Sequence, residues 1–313
     1  MLTSMKMDDR QQSLAVVGGR RLGDNLIEMV LAENARRAGY RTVVFSTILL
    51  ELADWFPGRR ISPSLDLDDA GNLDELAGFS RILYPKPPRE QVRDRVAGRW
   101  LAYGQVFAAH DTRVRAMVRV CREMLRLEQV TAENGIRPPS SLQWRKHGRR
   151  VCLHPTSAEE SKNWPAARFS ILAARLEQAG FEPVFIMSAA ELEGWRPLLG
   201  DRFPVRGFAS IADCAAFLYE SGFFIGNDSG GGHLASCLHI PVLSIHGRRG
   251  KARQWRPGWG CVEVVTPTFN LIGSSLRQRC WKYFLTVRKV EQAFYRLTKQ
   301  ATGLDSPFLH GSA

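Results

Sequence analysis

At 313 residues the chain exceeds what one core fills comfortably and suits two α/β domains of about 140 to 160 residues each. Hydrophobic residues make up 44% and charged residues 24%, with no low-complexity tract, which excludes a disordered chain and gives each half enough apolar material for its own core. Lys plus Arg outnumber Asp plus Glu by 43 to 31, and the resulting charge of +12 favours polyanionic partners: nucleic acid, nucleotide or anionic membrane.

The basic residues come in small groups: Arg20-Arg21, Arg59-Arg60, Arg145 to Arg150, Arg248 to Arg253 and Arg277 to Lys282. None of these matches a zinc finger, an aromatic RNP motif or a basic zipper, which argues against nucleic acid. The six cysteines are far apart, with no C-x-x-C pair, so the expectation is a reduced, cytoplasmic chain without a zinc site or redox dithiol. The N-terminus is polar and charged (Lys6, Asp8, Asp9, Arg10), with Met1, Met5 and Met7 as alternative starts. No stretch approaches the roughly 18 apolar residues a membrane span needs.

In chain order, Leu14 to Val17 reads as a strand closed by Gly18-Gly19. Asn25 to Ala38 follows as a helix stopped by Gly39, and Arg41 to Phe45 as a second strand. This order opens a doubly wound parallel sheet, in which ligands gather at the carboxyl ends of strands. Residues 50 to 78 show little periodicity. Phe79 to Tyr84 reads as a strand, Arg89 to Val130 as helical, and residues 131 to 150, with Gly135 and Pro138-Pro139, as an interdomain linker. A second α/β pattern begins with Val151 to His154 as strand, Ala166 to Ala179 as helix, Gly180 as stop and Pro183 to Met187 as strand. Gly222 to Gly226 and Pro241 to Ile245 are further strands flanking a loop and short helix over Asp228 to Cys237, and Trp281 to Leu297 has helical spacing. The expected domains are 1–140, 141–285 and a C-terminal helix and tail over 286–313.

Three stretches carry chemistry. Gly18-Gly19-Arg20-Arg21-Leu22-Gly23 has the glycine spacing of a phosphate loop, but Asp24-Asn25 stands where Lys and Ser or Thr belong. That carboxylate would repel a triphosphate, and Arg20 occupies the second glycine of a dinucleotide fingerprint, so the loop serves to display Asp24. The competing structural role for Asp24 is a helix N-cap. Asn227-Asp228-Ser229-Gly230-Gly231-Gly232-His233 runs from a strand through three glycines into a helix, leaving backbone N–H groups and a helix dipole free for a diphosphate. Asp228 can accept hydrogen bonds from sugar hydroxyls there, though it also suits a tight turn. The same string resembles the nucleophile segment of trypsin-like proteases, with His110 as an imagined base, but strands alternating with helices exclude that all-β fold. His233 and His239 lack metal-pair spacing. In His154 to Pro165, Thr156 and Ser157 can bind phosphate oxygens and Lys162 can neutralise a leaving diphosphate, against the plainer reading of a capped helix start.

His154 to Pro165 and Gly226 to Gly247, with the Leu22-Gly23-Asp24 turn, resemble the bacterial heptosyltransferases of glycosyltransferase family 9. The resemblance covers residues 145 to 300 and the first 45. It implies an α/β fold of the GT-B type, two Rossmann-like domains facing a cleft, and an inverting, metal-independent transfer of heptose from ADP-heptose to an anionic lipopolysaccharide core acceptor. It further implies Asp24 as general base and Lys162 as stabiliser of departing ADP. Thr156, Ser157, Asp228, Ser229, Gly230, Gly231, Gly232 and His233 would hold the donor, with Arg20 and Arg21 towards the acceptor. No cofactor is implied, and the partner surface is the inner face of the inner membrane. Residues 50 to 130 depart from the family pattern, and Gly247-Arg248-Arg249-Gly250 replaces its commoner Gly-Pro-Ser or Gly-Pro-Thr, with Arg248 placed to meet a phosphate. The alternatives are a related transferase with another nucleotide sugar, or a non-catalytic nucleotide-sugar-binding protein.

Overall fold

The computed structural model describes residues 12–88, 90–96, 98–107, 111–268, 280–306 and 308. Lys6 to Arg10, the alternative start methionines, His110 and Arg277 lie outside them. The chain forms two compact units, 1–136 and 137–313.

Among the described residues of the first unit, strand β1 (Ser13–Val17) is fully buried, and helix α1 (Leu22–Arg37) leads from it to β2 (Arg41–Phe45). β3 (Arg60–Ser62), helix α2 (Ala70–Ala77), β4 (Arg81–Tyr84), the short helix α3 (Glu90–Arg93), β5 (Trp100–Ala102) and helix α4 (Arg113–Glu123) follow. The five strands are parallel in the order β3-β2-β1-β4-β5, so the chain reverses its direction of sheet growth between β1 and β4. Val16 and Val44 pair in register, and the apolar runs of both strands mark a sheet covered on two faces. Phe45 packs edge-on against Phe79 with centroids 5.9 Å apart, in a core shared with Val17, Leu76 and Ile82.

Helix α1 begins at Leu22, earlier than the predicted Asn25, because Gly23 fits the first turn without breaking it. Asp24 therefore lies inside the helix and is not its cap; Arg21 holds the cap position. Gly39, at φ +88°, ends the helix as expected.

The region read as irregular between 50 and 78 contains a 3-10 helix (Thr47–Trp55), β3 and α2. The region read as one helix from Arg89 to Val130 is broken into α3, β5, a 3-10 turn (Tyr103–Val106) and α4. Its apolar residues suited a helix, but Trp100, Leu101 and Ala102 pair in register with Ile82, Leu83 and Tyr84, and sheet pairing overrides local spacing.

In the second unit, β6 (His147–His154), helix α5 (Ala166–Gln178), β7 (Glu182–Ser188), helix α6 (Ala189–Leu199), β8 (Val205–Phe208), helix α7 (Ile211–Tyr219) and β9 (Ser221–Asn227) alternate. Helix α8 (Gly230–Cys237), β10 (Val242–Ile245), helix α9 (Arg249–Trp255) and β11 (Val262–Val265) complete the sheet, whose order is β11-β10-β9-β6-β7-β8. All its pairings are parallel, with the switch between β6 and β9. The tail divides into a 3-10 turn (Trp281–Phe284) and helix α10 (Val287–Gln300), whose N-cap Thr286 accepts from the Lys289 amide. Phe294 of α10 packs on Phe223 of β9, centroids 5.2 Å apart, so the tail helix completes this unit's core.

Candidate functional site

The switch point of the second sheet brings together the loops that follow β6, β9 and β10. Asn227, the last residue of β9 and fully buried, ties two of them: its Nδ2 donates to the Pro155 carbonyl at 2.6 Å, and its Oδ1 accepts from the Trp164 amide at 3.0 Å. Trp164 is buried in turn, with Nε1 donating to the Leu285 carbonyl at 2.9 Å. The loop from His154 to Trp164 is thus clamped at both ends.

Lys162 sits on a 3-10 turn (Glu160–Lys162) in this loop. Its Nζ lies 3.2 Å from Asp228 Oδ2 and 3.5 Å from Glu159 Oε1. His246, at the end of β10, lies 3.9 Å from the same Asp228 oxygen, and its Nε2 meets Ser244 Oγ at 2.9 Å. Burial holds the imidazoles of His246 and His233 below the ordinary histidine range, His233 down to about 4, so both are neutral at pH 7. The fixed charges of the cluster are Lys162, Asp228 and Glu159. The lysine pairs are partly exposed and worth little in themselves.

A cavity of about 60 Å³ opens beside them, lined by Lys162, Asp228, His246, Gly247, Arg248 and Lys251 among others. Arg248 Nη2 is buried with no hydrogen-bond partner among the described residues. A buried donor of a cation without an acceptor is costly, and Arg248 together with Lys162 and Lys251 gives the cavity a basic lining suited to an anion. The Trp281 ring roofs the cavity and donates through Nε1 to the Ser161 carbonyl at 2.9 Å. Gly247 permits this, because a Cβ there would stand 2.9 Å from the ring. The cavity is open to solvent on one side and has room for a small anionic group such as a phosphate.

The other residues selected from sequence surround His154. Ser229 Oγ lies 3.3 Å from His154 Nδ1, and Thr156 Oγ1 lies 3.3 Å from Nε2. Thr156 also bonds Glu191, whose carboxyl receives both the hydroxyl (2.7 Å) and the amide (3.0 Å) of Ser188. Burial pushes the Glu191 carboxyl up, but these bonds and His154 outweigh it and hold the group below its ordinary range. Gly231 rests on the His154 ring at the start of α8. Gly230 and Gly231 are partly exposed, whereas Gly232 and His233 are buried. Ser157 turns inward, donating to the Glu159 carbonyl and to Asn163 Oδ1 at 2.8 and 2.7 Å.

In the first unit the loop after β1 lies at that sheet's own switch point. Asn25 Nδ2 donates to the carbonyls of Gly19 (2.9 Å) and Arg21 (2.7 Å), folding the loop onto the first turn of α1. Gly18 is required there, since a Cβ would fall 2.1 Å from Asn25 Oδ1. Asp24 is half-buried, and Arg20 and Arg21 are exposed beside it. The predicted residues thus divide: Asp24, Arg20 and Arg21 in one unit, the donor set and Lys162 in the other.

Sequence reasoning assigned no role to His154, Glu191, Asn227, His246 or Lys251. The available signal was position: His154, Asn227 and His246 stand at or just past the carboxyl ends of β6, β9 and β10. Among the described residues, no group of three or more His, Cys, Asp or Glu side chains is placed to hold a metal ion.

Two Rossmann-like units with parallel sheets define an α/β protein of the GT-B fold, and comparison with known structures agrees. The chain resembles, at 15% identity and a TM-score of 0.71, a glycosyl transferase family 9 protein from Veillonella parvula, over 93% of this chain and 98% of that one. It also resembles E. coli ADP-heptose lps heptosyltransferase II (15% identity, TM-score 0.69, 92% and 99% covered). A third likeness is to E. coli heptosyltransferase WaaC with ADP (15%, 0.66, 91% and 99%). Residues 120–261 match the family model of glycosyltransferase family 9 (heptosyltransferase), and the fold is like that of the solved heptosyltransferases. No curated protein matches the chain by sequence.

Proposed function

We propose that the chain is an inverting glycosyltransferase that moves heptose from ADP-heptose to a hydroxyl of an anionic lipopolysaccharide core glycolipid, with neither metal ion nor cofactor. The observation that carries the reading is the cavity at the sheet's switch point whose lining includes three basic residues, Lys162, Arg248 and Lys251. One phosphate of the donor fits there, and the ADP and ADP-heptose named for the solved relatives support the nucleotide.

In this reading Asp24 takes the proton of the acceptor hydroxyl as its oxygen bonds to the anomeric carbon. The bond from that carbon to the diphosphate breaks, and ADP leaves with the electron pair, its charge met by Lys162 and by the amides at the start of α8. Ser229 and Thr156 hold the diphosphate with the backbone of Gly230 to His233, Ser157 braces the loop beneath it through Glu159 and Asn163, and Asp228 orients sugar hydroxyls. Arg20 and Arg21 meet the anionic acceptor at the inner face of the inner membrane, which suits a net charge of +12.

The test is calorimetry with ADP, UDP, GDP and CMP, followed by transfer assays. ADP should bind tightest, and Asp24→Ala should cut turnover by about 10² to 10⁴ while leaving ADP affinity intact. Preference for another nucleotide would replace the heptose donor, and undiminished transfer by the variant would remove Asp24 from the base role. ADP binding without any transfer would favour a binding protein.

A further inference from the structure

Helix α1 carries a second carboxyl group on the face of Asp24. Glu28 follows one helical turn later and is only 7% exposed. Tyr103, 1% exposed on the 3-10 turn after β5, donates its hydroxyl to Glu28 Oε1 at 2.5 Å. Glu28 Oε2 is buried and has no hydrogen-bond partner among the described residues. A buried carboxylate with so few donors is costly, whereas the neutral carboxyl leaves only an uncharged hydroxyl unpaired, a smaller penalty.

The groups that bear on this pair come from several elements. Arg113 of α4 acts on both Asp24 and Tyr103, with its guanidinium 3.9 Å from the Phe107 ring centroid, and Tyr84 of β4 acts on Tyr103. Burial, reinforced by the charge of Asp24, pushes the Glu28 carboxyl up to about 8 against the opposing bonds from Tyr103 and the Gly19 amide. Two carboxyl groups so close do not ionise together cheaply, and the buried one is the one to keep its proton.

We propose that Glu28 is a positioning residue for the transfer: a buried, protonated carboxyl, gripped by Tyr103 one helical turn behind Asp24, that leaves the negative charge of the pair to the half-buried base. The inference rests on the reading of Asp24 as the base. Ionisation of Glu28 places a second charge beneath Asp24, so transfer falls at alkaline pH through a group that never touches substrate.

The experiment compares wild type with Glu28→Gln and Glu28→Ala in two readouts. In pH–rate profiles, wild-type kcat should decline above pH 8 towards a tenfold loss per unit, with little change in KM. The Gln variant keeps the shape and the hydrogen bond but has no proton to lose, so its alkaline limb should disappear; the Ala variant should lose kcat by about tenfold or more across the range. In equilibrium unfolding, Glu28 has a folded pKa of about 8 against a reference of 4.5. Its stabilisation is complete below 4.5 and lost as pH rises through 8, so wild type should weaken relative to the Gln variant across that window. An alkaline limb retained in the Gln variant overturns the positioning role, and parallel unfolding curves overturn the buried proton. Absence of transfer in wild type defeats the transferase reading instead, a result the unfolding data keep separate.

Discussion

Lys162 is held by two carboxylates, and so is presented in one place without being neutralised by a buried partner. A diphosphate leaving group would compete with Asp228 and Glu159 for the same ammonium, and the interaction strengthens as charge develops in the transition state. Lys162→Ala should therefore lower kcat by about 10² to 10³ and weaken ADP binding more modestly, which steady-state kinetics and calorimetry separate. The sequence reading put Lys162 forward as stabiliser of a leaving diphosphate and Asp228 and Ser229 in the donor set, because hydroxyls, a lysine and glycines after a strand are recognisable as chemistry. It also singled out Arg248 as able to meet a phosphate, but could not tell that its Nη2 is enclosed without a partner among the described residues. Nor could it find Glu28, which lies among apolar residues of a helix and acquires meaning only from Tyr103, 75 positions away.

At the level of elements, strand ends and loops are joined by buried polar side chains more than by regular ladders. Asn227 closes the turn after β9 onto the loop after β6, and both of its bonds are shielded from water. Asn227→Ala should cost about 2 to 4 kcal/mol in denaturant unfolding, because the Pro155 carbonyl and the Trp164 amide lose their partners inside the unit. It should also weaken ADP binding, since the loop carrying Lys162 loses its anchor. Apolar runs with turn residues made β1, β2, β6, β9 and β10 legible in sequence. β3, β5, β8 and β11 were not, being strands of three or four residues whose identity comes from the neighbour they pair with. The helical reading of 89–130 failed for the same reason.

Across the whole molecule, the stretch read as a linker from 131 to 150 is mostly structured. Asn34 exchanges hydrogen bonds with Thr131 (2.7 and 2.9 Å), Asn134 donates to the Leu26 carbonyl, and Arg59 pairs with Glu33 while bonding the Gly135 carbonyl. On the other side, the Gln143 amide donates to Glu220, the Arg145 amide to the Tyr219 carbonyl, and β6 has begun by His147. Limited proteolysis should therefore cut preferentially between 138 and 142. A fragment spanning 137–313 contains Lys162, Asp228, Arg248 and Lys251 together with its own core, and should bind ADP within about tenfold of the full chain while showing no transfer.

The seal over residues 131 to 136 has a geometric corollary. Its bonds land on Leu26 and Asn34 directly and on Glu33 through Arg59, along the same stiff rod whose first turn bears Asp24, about 24 Å from end to end. The root of the tether and the carboxylate proposed as the base consequently share one rigid frame, so where the leash leaves this lobe is fixed with respect to Asp24.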